Sequence, residues 1–116
     1  MDEMIEQTKL VLEGKNVKSK NFTKQIAFNA IPHIDIFSEN GYTKEELKMT
    51  YETKKILDEK IELTATCVRL PISVSHCESV NLQFEKPLTL EKVREALNSF
   101  DGCKVFDERV DGGYFT

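Results

Sequence analysis

The sequence predicts an α+β fold, with a mainly antiparallel sheet and helices on one face. Two observations support this prediction. Apolar and polar residues alternate over residues 61–67 and again over residues 80–85, which is the period of a half-buried strand. Three other segments have helical character, and this order of elements favours helices gathered on one face of an antiparallel sheet. A chain of 116 residues is long enough for one domain with a modest core.

Each of the three predicted helices has a recognisable start or stop. The first covers residues 2–13, with acidic residues in its opening turn and Gly14 at its end. The second covers residues 44–57, because Thr43 with Glu46 three residues later forms a capping box. The third follows Pro87, has Thr89 as its N-cap, and carries a predicted core-facing stripe at helical spacing that consists of Leu90, Val93, Leu97 and Phe100.

Loops and extended segments connect these helices. Residues 15–24 are polar and basic and predict a solvated loop. Residues 26–37 predict a strand or extended chain, because Pro32 restricts the residue before it to extended geometry. The apolar neighbours of His33 favour packing over catalysis, and Asp35 is interpreted as a structural hydrogen-bond acceptor. Three further predictions are a turn at Asn40-Gly41, a strand beginning at residues 103–106, and neither helix nor strand at residues 111–116.

The composition excludes several classes of protein. The net charge is −4 with acidic and basic residues interspersed, so no basic stripe indicates nucleic acid binding. No apolar run is long enough to cross a bilayer. The three cysteines lack the spacing of a zinc site or a disulfide framework, which favours a reducing cytoplasm. Cys67 and Cys103 are interpreted as small core residues, and Cys77 as non-catalytic.

The two alternating segments predict a candidate site at one end of the sheet. If they pair antiparallel, Arg69 closes the first strand and His76 opens the second, because Pro71 stops the ladder between them. A permanent cation beside a group that titrates near neutral pH suits chemistry on an anionic substrate. Spacing alone nevertheless favours a solvated histidine and a surface arginine. On the same grounds, Glu45 and Lys48 form an exposed ion pair on the second helix.

Several separate motifs, in order, resemble aspartate-semialdehyde dehydrogenase, in the middle-to-late part of that enzyme within its catalytic and dimerisation domain. The resemblance runs from about Glu6 to about Asp107. Its motifs are Phe28-Asn29-Ala30-Ile31-Pro32-His33-Ile34-Asp35, Asn40-Gly41-Tyr42-Thr43-Lys44-Glu45-Glu46, Glu52-Thr53-Lys54-Lys55-Ile56-Leu57, Cys67-Val68-Arg69-Leu70-Pro71 and Ser75-His76-Cys77-Glu78-Ser79-Val80.

The resemblance implies roles for four residues. His76 matches the family's acid/base histidine, and imidazole titrates near the working pH, as proton transfer requires. Arg69 matches the arginine that holds the substrate α-carboxylate, for which a planar guanidinium offers two parallel donors. Glu45 and Lys48 match a glutamate that holds the substrate amino group and a lysine that helps to bind phosphate. Their position near a helix N-terminus also suits an anion.

The resemblance also implies the reaction and the assembly. The family reduces aspartyl phosphate to aspartate semialdehyde with NADP as cofactor and releases phosphate, in lysine, threonine and methionine biosynthesis. A homodimer is implied, with a fold resembling the C-terminal domain of glyceraldehyde-3-phosphate dehydrogenase-like enzymes. The sequence lacks the family's nucleophilic Asn-Cys turn and any Gly-x-Gly-x-x-Gly turn for a dinucleotide. Residues 1–116 are therefore expected to be a single, partial catalytic and dimerisation domain, inactive alone, with NADP bound by an absent nucleotide domain.

Two alternatives remain open at this point. The chain could be a non-catalytic dimerisation or interaction module derived from that domain, or part of the related reductase of acetylglutamyl phosphate. All four matched residues are intact, which argues against the module. The helix with Glu45 and Lys48, and the spacing from Arg69 to His76, fit the related reductase less well. Cys77 departs from the family, which usually has a small polar residue or glycine at this position.

Overall fold

The computed structural model describes residues 1–114, in which three α-helices are joined by long irregular segments. All three helices lie where the sequence predicts them: α1 spans Asp2–Leu12, α2 spans Lys44–Ile56 and α3 spans Leu90–Ser99. The chain divides into two compact units, Met1–Cys77 and Glu78–Thr116. The prediction for residues 111–116 includes Phe115 and Thr116, which lie outside the described residues.

The helix ends follow from the side chains and backbone at their termini. Thr43 Oγ1 accepts the Glu46 N–H at 3.3 Å, and Glu46 Oε2 accepts the Thr43 N–H at 2.8 Å, which confirms the capping box. Thr89 Oγ1 accepts the Lys92 N–H at 3.4 Å and is the N-cap of α3, as predicted. Beyond α1, Gly14 has a φ of +68°, the left-handed conformation that glycine adopts readily.

The predicted antiparallel sheet is not present in residues 1–114, so the fold-class prediction is wrong. The β pairing of this part of the chain consists of two isolated bridges, Ile31 with Arg69 and Phe37 with Thr43. Neither the two alternating segments nor residues 103–106 form strands. An alternating pattern specifies a chain with one covered side, whereas a sheet also needs a neighbouring strand in matching register.

The first alternating segment packs against α2 instead of against a strand. Leu63, Ala65 and Cys67 are half-buried while the residues between them are exposed, so the predicted sidedness is present. Thr50 Oγ1 of α2 donates to the Leu63 carbonyl at 3.2 Å, and Glu46 Oε1 accepts the Cys67 N–H at 3.0 Å. Side chains of a helix therefore take the place of a neighbouring strand.

The buried apolar residues of the described chain are few and lie in the first unit: Ile26, Ala27 and Ile31. A polar side chain joins this core to α1. Gln7 is 1% exposed, and its Oε1 accepts the N–H groups of Ile26 at 2.8 Å and of Ala27 at 3.4 Å. Its Nε2 donates to Glu3 Oε1 at 2.9 Å. The core therefore depends on a buried amide as well as on apolar contact.

Glu3 fastens the loop after α1 to that helix. Its carboxylate accepts the N–H of Lys20 at 2.7 Å and the N–H of Asn21 at 2.8 Å. The hydrogen bond from the Lys20 backbone, followed by those from Asn21 and Gln7, lowers the pKa of Glu3 against the opposing effect of burial. The predicted loop at residues 15–24 is present, but this carboxylate orders its last residues.

The apolar stripe of α3 is not buried, contrary to the prediction of a core-facing side. Leu90, Leu97 and Phe100 are 51%, 45% and 67% exposed, and Val93 is half-buried. Cys103 is also exposed, so its interpretation as a core residue is wrong, whereas Cys67 is half-buried. A helical stripe identifies the side of a helix that can pack, but the described part of this unit supplies too little apolar surface to cover it.

Candidate functional site

Arg69 lies beside a cleft in the first unit. Its backbone makes both hydrogen bonds of the bridge with Ile31, at 3.0 Å from Ile31 N to Arg69 O and 2.9 Å from Arg69 N to Ile31 O. Ile31 is 3% exposed, so the bridge fixes the Arg69 backbone to the core. The cleft is lined by residues of three segments, among them Asn21, Phe22, His33, Ile34, Asp35 and Arg69.

The guanidinium of Arg69 has no acidic partner among residues 1–114. Its described contact is with Phe22, whose ring centroid lies 5.8 Å from Arg69 Cζ. A cation–π contact orients a guanidinium without occupying its N–H donors in hydrogen bonds. Those donors therefore remain available to a planar anion such as a carboxylate.

Glu45 and Lys48 form the ion pair that their spacing predicts. Lys48 Nζ lies 3.1 Å from Glu45 Oε1, with the two side chains 49% and 34% exposed, respectively. This hydrogen bond is the largest cause that raises the pKa of Lys48, and the charges of Glu45, Glu52 and Asp35 add to it. The ammonium is therefore protonated at neutral pH, as the binding of an anion requires.

Asp35 connects this ion pair with the Arg69 cleft. It lines the cleft, and its charge is close enough to Lys48 to raise the pKa of the ammonium. Cys67, two residues before Arg69, is likewise within reach of the charges of Glu45 and Lys48. Three of the four predicted site residues lie in the first unit on two segments that a hydrogen bond joins: Glu45 and Lys48 flank Glu46, whose Oε1 accepts the N–H of Cys67 at 3.0 Å, two residues before Arg69.

His33 and Asp35 have the structural contacts that the sequence predicts. His33 is half-buried and stacks on Phe37 with a distance of 4.5 Å between ring centroids. Asp35 has a φ of +67°, and its Oδ1 accepts the N–H of Ile36 at 2.8 Å. Aspartate tolerates the left-handed region better than most residues, because its short side chain can bond to nearby backbone. Both side chains also line the cleft, which the sequence did not predict.

His76 is exposed and lies apart from the contacts described so far. Within residues 1–114 it makes no hydrogen bond, ion pair or ring contact, and it does not line the Arg69 cleft. The preceding residue, Ser75, has a φ of +74°, which is uncommon for a residue other than glycine. The two-stranded ribbon predicted to bring Arg69 and His76 together is not formed. The role of His76 as acid/base stays a prediction.

The cysteines are all free thiols. Burial is the largest cause that raises the pKa of Cys67, and the charges of Glu46 and Glu45 act in the same direction. A raised pKa disfavours the thiolate, which is the nucleophilic form. Among residues 1–114 no group of three potential ligands is placed to hold a metal ion. No helix in this range is long and apolar enough to span a membrane.

Sequence reasoning missed three residues of this region. Phe22 lies in the segment predicted as a solvated loop, and Asp35 was assigned a structural role alone. Glu46 was identified only as a cap residue, although it also binds the N–H of Cys67. The capping-box spacing predicted one of the two Glu46 contacts, the one with the Thr43 N–H. No local pattern marks the contacts with Arg69, Lys48 or Cys67, because they join distant parts of the chain.

Comparison with known proteins assigns the chain to a family. Residues 1–115 match the family described as semialdehyde dehydrogenase, dimerisation domain. The chain belongs to this family. It is 47% identical over 116 residues to the aspartate-semialdehyde dehydrogenase of Aquifex aeolicus (strain VF5), a match that covers 98% of this chain and 34% of that protein. It is 44% identical over 107 residues to that of Vibrio mimicus, covering 91% and 34%, respectively.

Solved structures agree with this assignment to the semialdehyde dehydrogenase family. The crystal structure of aspartate semialdehyde dehydrogenase II from Vibrio cholerae superposes with a TM-score of 0.75 at 39% identity, over 87% of this chain and 30% of that one. A structure of that enzyme complexed with ASA gives a TM-score of 0.74. The resemblance inferred from the motifs is confirmed. The chain spans about a third of the length of these curated relatives, at 34% of the first.

Proposed function

We propose that this chain is the substrate-holding and dimerisation part of an aspartate-semialdehyde dehydrogenase that reduces aspartyl phosphate with NADPH and releases phosphate. One observation supports the proposal: the Arg69 guanidinium, which has no acidic partner among residues 1–114, and the Glu45–Lys48 pair lie on two segments joined by the hydrogen bond from the Cys67 N–H to Glu46 Oε1. The substrate is a small zwitterion with an added phosphate, so it needs a cation for its carboxylate, an anion for its ammonium and a cation for phosphate. The three side chains offer this combination.

Arg69 binds the substrate carboxylate in this proposal. Two parallel N–H donors match two carboxylate oxygens, and no acidic residue in the described chain competes for them. The bridge with Ile31 fixes the backbone, and the Phe22 ring limits the directions that the guanidinium can take. The carboxylate is then held in a single orientation, which keeps the reacting carbon in place.

Glu45 and Lys48 divide the remaining charges of the substrate. Lys48 Nζ lies 3.1 and 3.4 Å from the two Glu45 oxygens. A substrate ammonium that binds one oxygen would displace Lys48 from it, leaving the lysine free to turn toward phosphate. The exposed pair would thus be the resting arrangement of two substrate-binding groups, and its low intrinsic strength makes the exchange easy.

His76 supplies and removes protons at the substrate in this proposal, a task suited to imidazole at neutral pH. NADP, when bound, provides the reducing equivalents, but this chain does not fit it. Its glycines with positive φ lie singly at turns and helix ends, and none of the described segments forms a glycine-rich turn between a strand and a helix. The cofactor is assigned to the part of the relatives that this chain does not span.

Steady-state kinetics of the full-length enzyme that contains this chain test the proposal, with phosphate-dependent oxidation of aspartate semialdehyde as the assay. Arg69→Ala is expected to raise KM about 100-fold, because two charge-assisted hydrogen bonds are lost. His76→Ala is expected to lower kcat by about 10²–10⁴ with little change in KM. Arg109→Ala, which removes an exposed guanidinium, is the control and changes neither constant. Unchanged kinetics in both site variants would refute the assignment.

The proposal includes a homodimer. The family is that of a dimerisation domain, and the chain exposes large apolar side chains that a second copy can cover, including the α3 stripe. Sedimentation of the full-length enzyme at micromolar concentration is expected to give the mass of a dimer. A single monomeric species would contradict this part of the proposal.

A further inference from the structure

Glu46 uses both of its carboxylate oxygens on two different segments. Oε2 accepts the Thr43 N–H at 2.8 Å, within the cap of α2. Oε1 accepts the Cys67 N–H at 3.0 Å, 21 residues away in the sequence. The backbone N–H of Thr43 and then that of Cys67 lower the pKa of Glu46, so the carboxylate is ionised at neutral pH. Hydrogen bonds to an ionised carboxylate are stronger than those between neutral groups.

The second of these contacts joins two parts of the proposed substrate site. Glu46 lies between Glu45 and Lys48 in the first turns of α2. Cys67 lies two residues before Arg69, whose own backbone is fixed to the core. A helix cap does not require this contact, since α3 is capped by a threonine side chain without a carboxylate that reaches another segment.

We propose that Glu46 is a positioning residue, whose bridging carboxylate holds Glu45 and Lys48 at a fixed distance from Arg69. The inference rests on the proposed function, in which these three side chains bind one substrate. A small molecule held at its carboxylate, ammonium and phosphate constrains the distances among the groups that hold it. Misplacement of a binding group by about 1 Å can cost up to about 10²-fold in rate.

Glu46→Gln in the full-length enzyme is the test variant. It keeps the size of the side chain but has one carbonyl oxygen for two N–H donors, and its amide NH₂ would face a donor. Glu46→Asp, which keeps the charge on a side chain one methylene shorter, is the second variant if the first does not fold. Thr89→Ala is the matched control, because it removes a helix cap from an element with no assigned role in the site.

Three measurements are made on each variant: hydrogen–deuterium exchange of the peptide that contains Cys67, KM with kcat, and kcat/KM in combination with Arg69→Ala. Glu46→Gln is expected to speed exchange at Cys67 and to lower kcat/KM about tenfold, mainly through KM. Thr89→Ala is expected to change neither. In the Arg69→Ala background, Glu46→Gln is expected to lower kcat/KM by a smaller factor than it does in the wild type. The reason is that Glu46 acts by setting the distance of Glu45 and Lys48 from Arg69, and this distance no longer matters once the guanidinium is removed.

The outcomes separate this inference from the proposed function. Unchanged hydrogen–deuterium exchange at Cys67 would show that the Glu46 carboxylate does not hold the Cys67 N–H, and it would overturn the inference. Faster exchange with unchanged kcat/KM, while Arg69→Ala remains impaired, would overturn the positioning role and leave the proposed function intact. An equal loss of kcat/KM in Glu46→Gln and in Thr89→Ala would reduce Glu46 to a stabilising residue. If Arg69→Ala has no effect, the proposed function fails and the positioning role fails with it.

Discussion

Replacement of Gln7 by alanine removes the buried amide that joins α1 to the core residues Ile26 and Ala27. Gln7 Oε1 accepts the N–H of Ile26 at 2.8 Å and that of Ala27 at 3.4 Å, and both of those residues are 0% exposed. Alanine leaves two buried N–H groups without a partner, and each such group costs about 1–3 kcal/mol. The longer contact weighs less, so the free energy of unfolding is expected to fall by about 2–4 kcal/mol. For a chain of this size the melting temperature then falls by about 10 °C or more.

Urea and thermal unfolding followed by far-UV circular dichroism measure this loss. Gln83→Ala is the matched control, because Gln83 is exposed and its side chain makes no hydrogen bond among residues 1–114. Its expected effect is within about 0.5 kcal/mol, as for most surface substitutions. Equal losses in the two variants would show that burial of the Gln7 amide does not stabilise this core.

Three further predictions concern the loop, the turn and the last helix. Hydrogen bonding lowers the pKa of Glu3, so its contribution to stability is present above the unfolded pKa of about 4.3 and is lost as the pH falls through the folded value. The stability difference between the wild type and Glu3→Gln should therefore be largest near pH 7 and shrink below about pH 4; a constant difference by urea titration would contradict this. Gly41→Ala should lower the free energy of unfolding by about 1–2 kcal/mol through backbone strain, because Gly41 has a φ of +84°. The space around the new methyl group is open, so no steric clash adds to this loss, and equal melting temperatures would refute the strain argument. Thr89→Ala should cost about 1 kcal/mol by chemical denaturation, and no measurable loss would refute its role as N-cap.

The helices were predictable because their signals are local. Thr43 and Glu46 are three residues apart, and the hydrogen bonds they exchange form within the first turn that they cap. Thr89 and Gly14 act in the same way at other helix ends. The Glu45–Lys48 pair was predictable for the same reason, since residues three apart are neighbours on a helix surface.

The sheet was not predictable, because pairing depends on which segment arrives alongside. The alternation at Leu63, Ala65 and Cys67 correctly indicated one covered side. It carried no information on the covering element, which is α2 and not a second strand. The predicted burial of the apolar residues of α3 was wrong for a related reason. Their helical spacing shows which side of the helix can pack, but it does not show whether another element covers that side.

The surroundings of the candidate site could be predicted only in part. Motif resemblance selected Arg69, and local spacing placed it after an alternating segment. Its contact with Phe22 and the Glu46–Cys67 hydrogen bond each join distant parts of the chain, so neither has a local signature. Asp35 carried a weak signal, as a polar residue in an apolar segment, and its place in the lining of the Arg69 cleft emerged only from the tertiary structure.

A crystal structure of the full-length enzyme with aspartate semialdehyde bound decides whether Arg69 and the α2 pair hold the substrate. We expect the substrate carboxylate to accept two N–H donors of Arg69 at about 2.7–2.9 Å, and the substrate ammonium to donate to Glu45. A bound substrate whose carboxylate and ammonium contact neither Arg69 nor Glu45 would contradict the proposed role of this chain.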